Sequence, residues 1–366
     1  MTTKNKHQEL ILLNPGPVNL TQRVRNALLS PDICHREPEF TELQETIRRA
    51  LLDVYGLSSV DYASVLITGS GTAAVESMIT SLISHDGKLL VLSNGVYGER
   101  IKKIAECYGI DTAVLSCEWG REFDTLEIEK ILREDKALSS VAVVHHETTT
   151  GRLNDVSKVG AVCKRFGKAL FVDAVSSFGA EELQFDNWGI TACAVSANKC
   201  LHSVPGASFV IVQRKSMRST PCRSVYLNLF DYYQHQENGS SPFTHAVHVF
   251  YALAEALAEF EEMGGWRERK KTYEKLASLI RKNAATSGIR QYLTSGPLAC
   301  SLTAFYLPDN ISYTRLHDLL RQAGFVIYAG QGKISSMIFR IANMGALTEN
   351  DIDRLFVHIK EILCRL

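Results

Sequence analysis

Residues 169–200, ALFVDAVSSFGAEELQFDNWGITACAVSANKC, contain two short apolar runs, ALFVD (169–173) and ACAVS (192–196), each followed at once by small, polar or turn-forming residues. Runs of this length and composition read as buried strands. In a parallel sheet the carboxyl ends of neighbouring strands open onto one crevice, where ligands bind. Asp173 closes the first run and Lys199 follows the second, so an acid and an amine converge there. A lysine after a strand is ordinarily a solvated charge. Residues 192–198 are uncharged, however, and Cys200, Leu201 and the turn Pro205-Gly206 follow, so Lys199 reads as partly desolvated. Desolvation lowers the pKa of a lysine and frees its amine for Schiff-base chemistry.

Outward from this stretch, β-branched runs at 64–68 (SVLIT), 88–93 (KLLVLS), 112–116 (TAVLS), 140–145 (SVAVVH) and 207–213 (ASFVIVQ) alternate with amphipathic segments at 73–84, 98–108, 125–134 and 156–166. That alternation predicts an α/β fold with a mainly parallel sheet. After Gln213 comes a polar, aromatic, turn-rich stretch at 224–245, then helical runs at 246–262, ended by Gly264-Gly265, and at 267–287. Strands near 301–306, 325–328 and 336–341 and helices near 313–323 and 349–365 read as a smaller α+β domain. The expected division is an N-terminal segment, 1–17, that contributes to the active site, a large domain, 18–265, and a small C-terminal domain, 266–366.

The chain has 366 residues, 45% hydrophobic, with 40 Lys+Arg against 40 Asp+Glu. Zero formal net charge gives no global pull toward nucleic acid or anionic membrane. Nine scattered cysteines, with no C-x-x-C pair, predict a reduced cytoplasmic protein with free thiols. Only four consecutive apolar residues, Leu10 to Leu13, precede Asn14, too few for a secretory segment, and no apolar stretch approaches the ~20 residues that span a bilayer.

Pyridoxal phosphate enzymes need a lysine such as Lys199, an acid such as Asp173 to keep the pyridine nitrogen protonated, and a phosphate cradle. Gly69-Ser70-Gly71-Thr72 supplies the cradle between a strand and a helix, where backbone N–H groups and the helix dipole favour an anion. Gly69, Gly71 and Ala74 also match the dinucleotide pattern of an NAD(P)-dependent oxidoreductase, but the second strand ends Ser93-Asn94-Gly95 without the ribose-binding acid. Tyr97, just past that strand, is either a ring platform for a flat heterocycle or an ordinary loop tyrosine. His145 and His146 are adjacent on a strand and point to opposite faces, which argues against a shared metal ion. His245 and His248, at i,i+3 spacing, read as solvated or core-edge residues. Arg340, between Phe339 and Ile341, and Arg36 are candidates for bidentate recognition of a carboxylate or phosphonate.

In combination, NPGP (14–17), GSGTAAVE (69–76), SNGVYGER (93–100), HHETTTG (145–151), VDAVSSFG (172–179), SANKC (196–200) and FRIANMG (339–345) resemble the fold type I pyridoxal phosphate aminotransferases. Within them the wording is similar to the alanine/serine-glyoxylate group, and most closely to the 2-aminoethylphosphonate:pyruvate aminotransferases. The resemblance implies that Lys199 is the Schiff-base lysine, that Asp173 holds the pyridinium and that Tyr97 stacks on the ring. It also implies that Ser70, Gly71 and Thr72 hold the phosphate with Asn198 nearby, and that Thr148 bonds the ring hydroxyl region or substrate. Gly16, Arg340 and Arg36 then face the substrate, with His35 and Lys333 as further candidates. Thr244 reaches the cofactor phosphate of the neighbouring subunit, which implies a homodimer with active sites at the interface. The local alternative is that Thr244 caps the helix beginning at Ala246. The implied reaction is 2-aminoethylphosphonate with pyruvate, the alternative an alanine or serine:glyoxylate transamination.

Overall fold

The protein is described by a computed structural model covering residues 10–219 and 223–365; residues 1–9 of the expected N-terminal segment, Cys222 and Leu366 lie outside the described residues. Seven strands form the central sheet: β1 (Tyr62–Thr68), β2 (Lys88–Ser93), β3 (Thr112–Ser116), β4 (Leu138–Val144), β5 (Ala169–Asp173), β6 (Ile190–Ser196) and β7 (Ala207–Gln213). Their spatial order is β1-β7-β6-β5-β4-β2-β3. The β2, β3, β4, β5 and β6 pairings are all parallel, whereas β7 runs antiparallel to both β6 and β1. About ten residues separate β6 from β7, too few for a crossover helix, so the chain must turn straight back. Because β7 is reversed relative to both neighbours, β1 points the same way as β6, and six strands end on one edge of the sheet.

Both faces are covered, which is why the strands are continuous apolar runs and not alternating ones. One face packs against Thr125–Glu134, Val156–Phe166 and Val247–Glu262 through Ile128, Leu132, Val159 and Phe250. The other packs against Gly71–Leu82, Val96–Cys107 and Leu229–Glu237 through Met78, Ile101 and Tyr232. The 156–166 helix has the bounds that its sequence signals give: Asp155 accepts from the Lys158 N–H at 3.2 Å, and Gly167 ends it at φ +63°.

Besides the short helices Gln22–Ala27 and Phe185–Trp188, two longer helices escape the sequence reading. Leu229–Glu237 lies inside the stretch read as turns; Asn228 caps it, and Leu229, Tyr232 and Gln236 are buried. Pro38–Asp53 begins with proline in its first turn and buries Phe40, Ile47 and Leu51. His245 precedes the Val247–Glu262 helix, so it and His248 do not share a helical face despite their i,i+3 spacing.

In the C-terminal part, Leu302–Tyr306, Ile338–Ala342 and Tyr328–Ala329 make an antiparallel sheet. The single strand expected at 325–328 is two. Phe325–Val326 pairs in parallel with Ile11–Leu12, and the chain changes partner at buried Ile327 before Tyr328 pairs with Arg340. The N-terminal segment therefore joins the core of the C-terminal part, with Leu13 in the cluster of Phe325 and Phe339, and Pro15 and Gly16 then reach Lys199 at the edge of the large sheet. Among the described residues, no helix is long and apolar enough to cross a membrane, and all eight described cysteines are free.

Candidate active site

The shared strand edge decides what meets. Register pairs Asp173 at the end of β5 with Val144 of β4 and Ala194 of β6, so the loop after β6 lies beside the acid. Asp173 is buried, and its Oδ1 accepts the Val175 N–H at 2.9 Å. Burial pushes its carboxyl up to about 6, against that bond and the charges of Arg100 and Lys199. Burial pulls the Lys199 amine down to about 8, with Cys200 and Asp173 opposing and Arg340 and Arg100 assisting. At pH 8 about half of such an amine is neutral, against well under one per cent of an ordinary lysine.

The N-terminal segment closes over the lysine. Lys199 Nζ donates to the Pro15 carbonyl. Gly16, at φ +94°, passes so close that a Cβ there would stand 2.7 Å from Lys199 Cδ and 2.9 Å from the Asn198 carbonyl. No other residue type fits that passage.

Ser70 caps the Gly71–Leu82 helix in extended conformation without a side-chain cap bond, which leaves the first turn open to an external acceptor. Gly71 is required by packing: a Cβ would meet Val175 at 2.8 Å and Ser196 at 3.0 Å. Asn198 accepts from Ser196 Oγ beside it. Thr72 Oγ1 accepts from Arg100 Nη1 at 3.3 Å, and the Arg100 guanidinium carbon lies 4.7 Å from the Tyr97 ring centroid. Thr148 is buried, and its Oγ1 has no hydrogen-bond partner among the described residues. A buried hydroxyl without a partner costs stability unless a ligand completes it.

Arg340 stands on the C-terminal strand Ile338–Ala342 and is fully buried. Nε and Nη2 donate to the Ala329 carbonyl at 2.8 and 2.6 Å, and Nη1 to the Thr148 carbonyl at 2.8 Å and Gln331 Oε1 at 3.3 Å. All of these acceptors are neutral.

Two contributors were not singled out by sequence reading. Glu147, fully buried, receives the Tyr97 and Gly98 N–H groups on Oε2 at 3.2 and 3.3 Å and the Thr149 N–H on Oε1 at 3.2 Å. It thereby ties the loop that bears Thr148 to the first turn of the helix that bears Tyr97. Burial pushes its carboxyl up to about 7. Gly95 makes room, since a Cβ there would fall 2.3 Å from the Glu147 carboxyl carbon. Arg100 is the other; a cation one helical turn beyond Tyr97 was its signal.

Other expected residues stay apart within the single chain. Arg36 is exposed, with Nε 3.4 Å from His35 Nε2, and Lys333 lies 4.6 Å over the Trp119 ring. Thr244 is exposed and does not cap the following helix, whose cap residue is Ala246 with no side-chain bond. His145 and His146 are buried and engage Ser177 Oγ and the Ser176 carbonyl, and no metal-binding cluster occurs among the described residues. His245 is buried between Phe40 and Phe250, and half-exposed His248 lies 3.3 Å from Asp32.

Residues 22–355 match the family model of aminotransferase class-V. The chain belongs to this family. It is 38% identical over 351 residues, 94% of its length and 95% of the relative's, to a 2-aminoethylphosphonate--pyruvate transaminase of Bacillus cereus. Its fold is similar to an aspartate aminotransferase of Thermus thermophilus, with TM-score 0.87, 26% identity and coverage of 97% and 99% of the two chains. An alanine--glyoxylate aminotransferase from Nostoc sp. superposes with TM-score 0.92 at 24% identity over 99% and 97% of the two chains. The protein is a pyridoxal 5'-phosphate-dependent aminotransferase of the α/β, fold type I class, which removes the oxidoreductase alternative. The residues present fit the cofactor: a buried acid, a lysine of lowered pKa, a buried hydroxyl without a partner and a glycine cradle stand at one sheet edge.

Proposed function

We propose that this chain transfers the amino group of 2-aminoethylphosphonate to pyruvate, giving phosphonoacetaldehyde and L-alanine. The observation that carries the reading is Arg340, a buried guanidinium bonded only to neutral acceptors and close enough to Lys199 to lower its pKa. Burying a cation without a counter-ion costs several kcal/mol, which an anionic substrate group offsets. The relative's name supplies the identity of that anion.

When bound, the cofactor supplies an electron sink that stabilises negative charge on the substrate carbon. Lys199 would anchor it covalently; once released, the Nζ amine, neutral in part near pH 8, would take the proton from the amino donor's carbon and, in the return half-reaction, deliver one to the carbon of the keto acid that accepts the amino group. Asp173 would hold the proton of the ring nitrogen, Tyr97 would cover the ring, Thr148 would bond near its hydroxyl, and Ser70, Gly71, Thr72 and Asn198 would hold the phosphate. Arg340 orients the substrate's anionic end, alternately phosphonate and carboxylate, and Gly16 lets residues 10–17 exclude water above Lys199. Residues 18–265 and 266–366 act as the large and small domains. We place the enzyme in the cytoplasm as a homodimer. Thr244, exposed in the single chain, then serves the partner's phosphate site; Arg36 lines the substrate side.

The test is competition between substrates on the purified enzyme. 2-Aminoethylphosphonate with pyruvate should exceed alanine or serine with glyoxylate by at least about a hundredfold in kcat/KM, roughly 2.7 kcal/mol, within reach of one or two charge-assisted hydrogen bonds. Equal or better activity with the glyoxylate pairs would replace the substrate while leaving the lysine chemistry in place.

A further inference from the structure

Arg340 offers five N–H donors. Four bonds engage it: two to the Ala329 carbonyl, one to the Thr148 carbonyl and one to Gln331 Oε1. One Nη2 hydrogen is left, whereas an anion held in bidentate fashion needs two N–H groups. Ala329 and Thr148 bind through backbone carbonyls, which cannot leave. Gln331 binds through a side chain, and its departure frees one hydrogen on Nη1 beside the one on Nη2.

The backbone on both sides of Gln331 is closely packed. A Cβ on Gly330 would meet the Ile334 carbonyl at 2.5 Å, and one on Gly332, at φ +50°, would meet the Trp119 ring at 2.5 Å. Residues 332–334 form a 3-10 turn, and Tyr328 lies under the guanidinium at 5.0 Å. With both flanking positions pinned, the mobile element is the side-chain amide. An amide carries an acceptor and donors on one pivot.

We propose that Gln331 is a specificity-determining residue: its Oε1 stands in for a substrate oxygen on Arg340, and on binding the amide turns so that Nε2 donates to the third oxygen of a phosphonate. A carboxylate has two oxygens and is satisfied by Arg340 alone. This rests on Arg340 being the substrate anchor. Gln331 thus supplies a donor that the exposed Arg36 and the Trp119-bound Lys333 do not supply within the chain.

The experiment follows each half-reaction of the holoenzyme in single turnover by cofactor absorbance, with 2-aminoethylphosphonate or L-alanine. Gln331→Leu should lower the rate constant per unit concentration about tenfold for 2-aminoethylphosphonate and less than threefold for alanine. Gln331→Glu, which fixes a carboxylate on Arg340, should slow both by similar factors. An unchanged phosphonate-to-alanine ratio in Gln331→Leu, or two unaffected half-reactions in Gln331→Glu, overturns the assignment. If the wild-type enzyme does not turn over 2-aminoethylphosphonate, the substrate reading fails on its own, and Gln331 is judged by inhibition. Methylphosphonate should then lose about tenfold against acetate in Gln331→Leu, and no change in that ratio rejects the role.

Discussion

The site has two cationic poles, and the fold holds them differently. Lys199 sits on the loop after β6, beside an acid at the end of the parallel neighbour β5, so its position follows from sheet pairing. Arg340 sits within the short antiparallel sheet of the C-terminal part and is held by carbonyls from two separate segments, Ala329 and Thr148, and by Gln331. On the proposed reading, the lysine chemistry is thus anchored in the buried sheet, while recognition of the substrate rests on a contact with the 145–151 loop and on the segment around Gln331. The first pole should tolerate little change; the second should be adjustable.

Three perturbations test this contrast. Lys199→Ala removes both anchor and acid/base, and turnover should fall by at least about 10⁴-fold while some cofactor is retained through Asp173 and the phosphate cradle. Borohydride reduction of the wild-type enzyme should leave a pyridoxyl adduct on Lys199 and none in the variant. Full turnover in Lys199→Ala would mean that another lysine reacts.

Arg340→Lys keeps the charge but loses the fork, and both half-reactions should slow by roughly a hundredfold, equivalent to one or two charge-assisted hydrogen bonds. The absorbance spectrum of the bound cofactor should barely move, because Arg340 belongs to the substrate pole. A large spectral change with normal substrate affinity would merge the two poles and end the comparison.

The smallest effect concerns Glu147, which links them. Its folded-state pKa of about 7 lies above the ordinary 4.5, because burial disfavours the carboxylate. The folded protein therefore binds more protons than the unfolded chain between those values. The associated stability is fully present below about pH 4.5 and is lost as pH rises through about 7. Glu147→Gln cannot ionise, so its stability relative to the wild type should improve between pH 5 and pH 8.5 by on the order of 1 to 3 kcal/mol. Thermal unfolding of both proteins at the two pH values measures this, and a difference that stays constant or reverses would show that Glu147 is ionised throughout.

Much of the first pole was legible in the sequence because its signals are local. An apolar run followed by Asp173, another followed by Asn198-Lys199, and a strand leading into Gly69-Ser70-Gly71-Thr72 each announce a strand end and its chemistry within a few residues. The second pole was legible only as a residue type. Arg340 between Phe339 and Ile341 reads as buried, but its partner Thr148 lies 192 positions away and Gln331 in a separate turn of the chain, so both contacts depend on tertiary packing. Glu147 stood in a quoted motif without a role, since the Tyr97 and Gly98 N–H groups that it receives lie 50 and 49 positions away. The helix Leu229–Glu237 was missed because its polar and aromatic residues lack a clear apolar stripe; the sheet face against which it packs Tyr232 makes it a helix.

By itself, the sequence determined an α/β chain with an acid and an amine at neighbouring strand ends, because the periodicity of apolar residues and the chemistry of turns are properties of contiguous residues. Only the tertiary structure decided that β7 returns antiparallel, that Pro15 and Gly16 pack on Lys199, and that Arg340 is buried with no acid bonded to it. Those outcomes depend on pairing, close approach and desolvation between segments far apart in the chain. A one-dimensional pattern fixes which residues seek burial, and packing in three dimensions fixes which neighbours they meet.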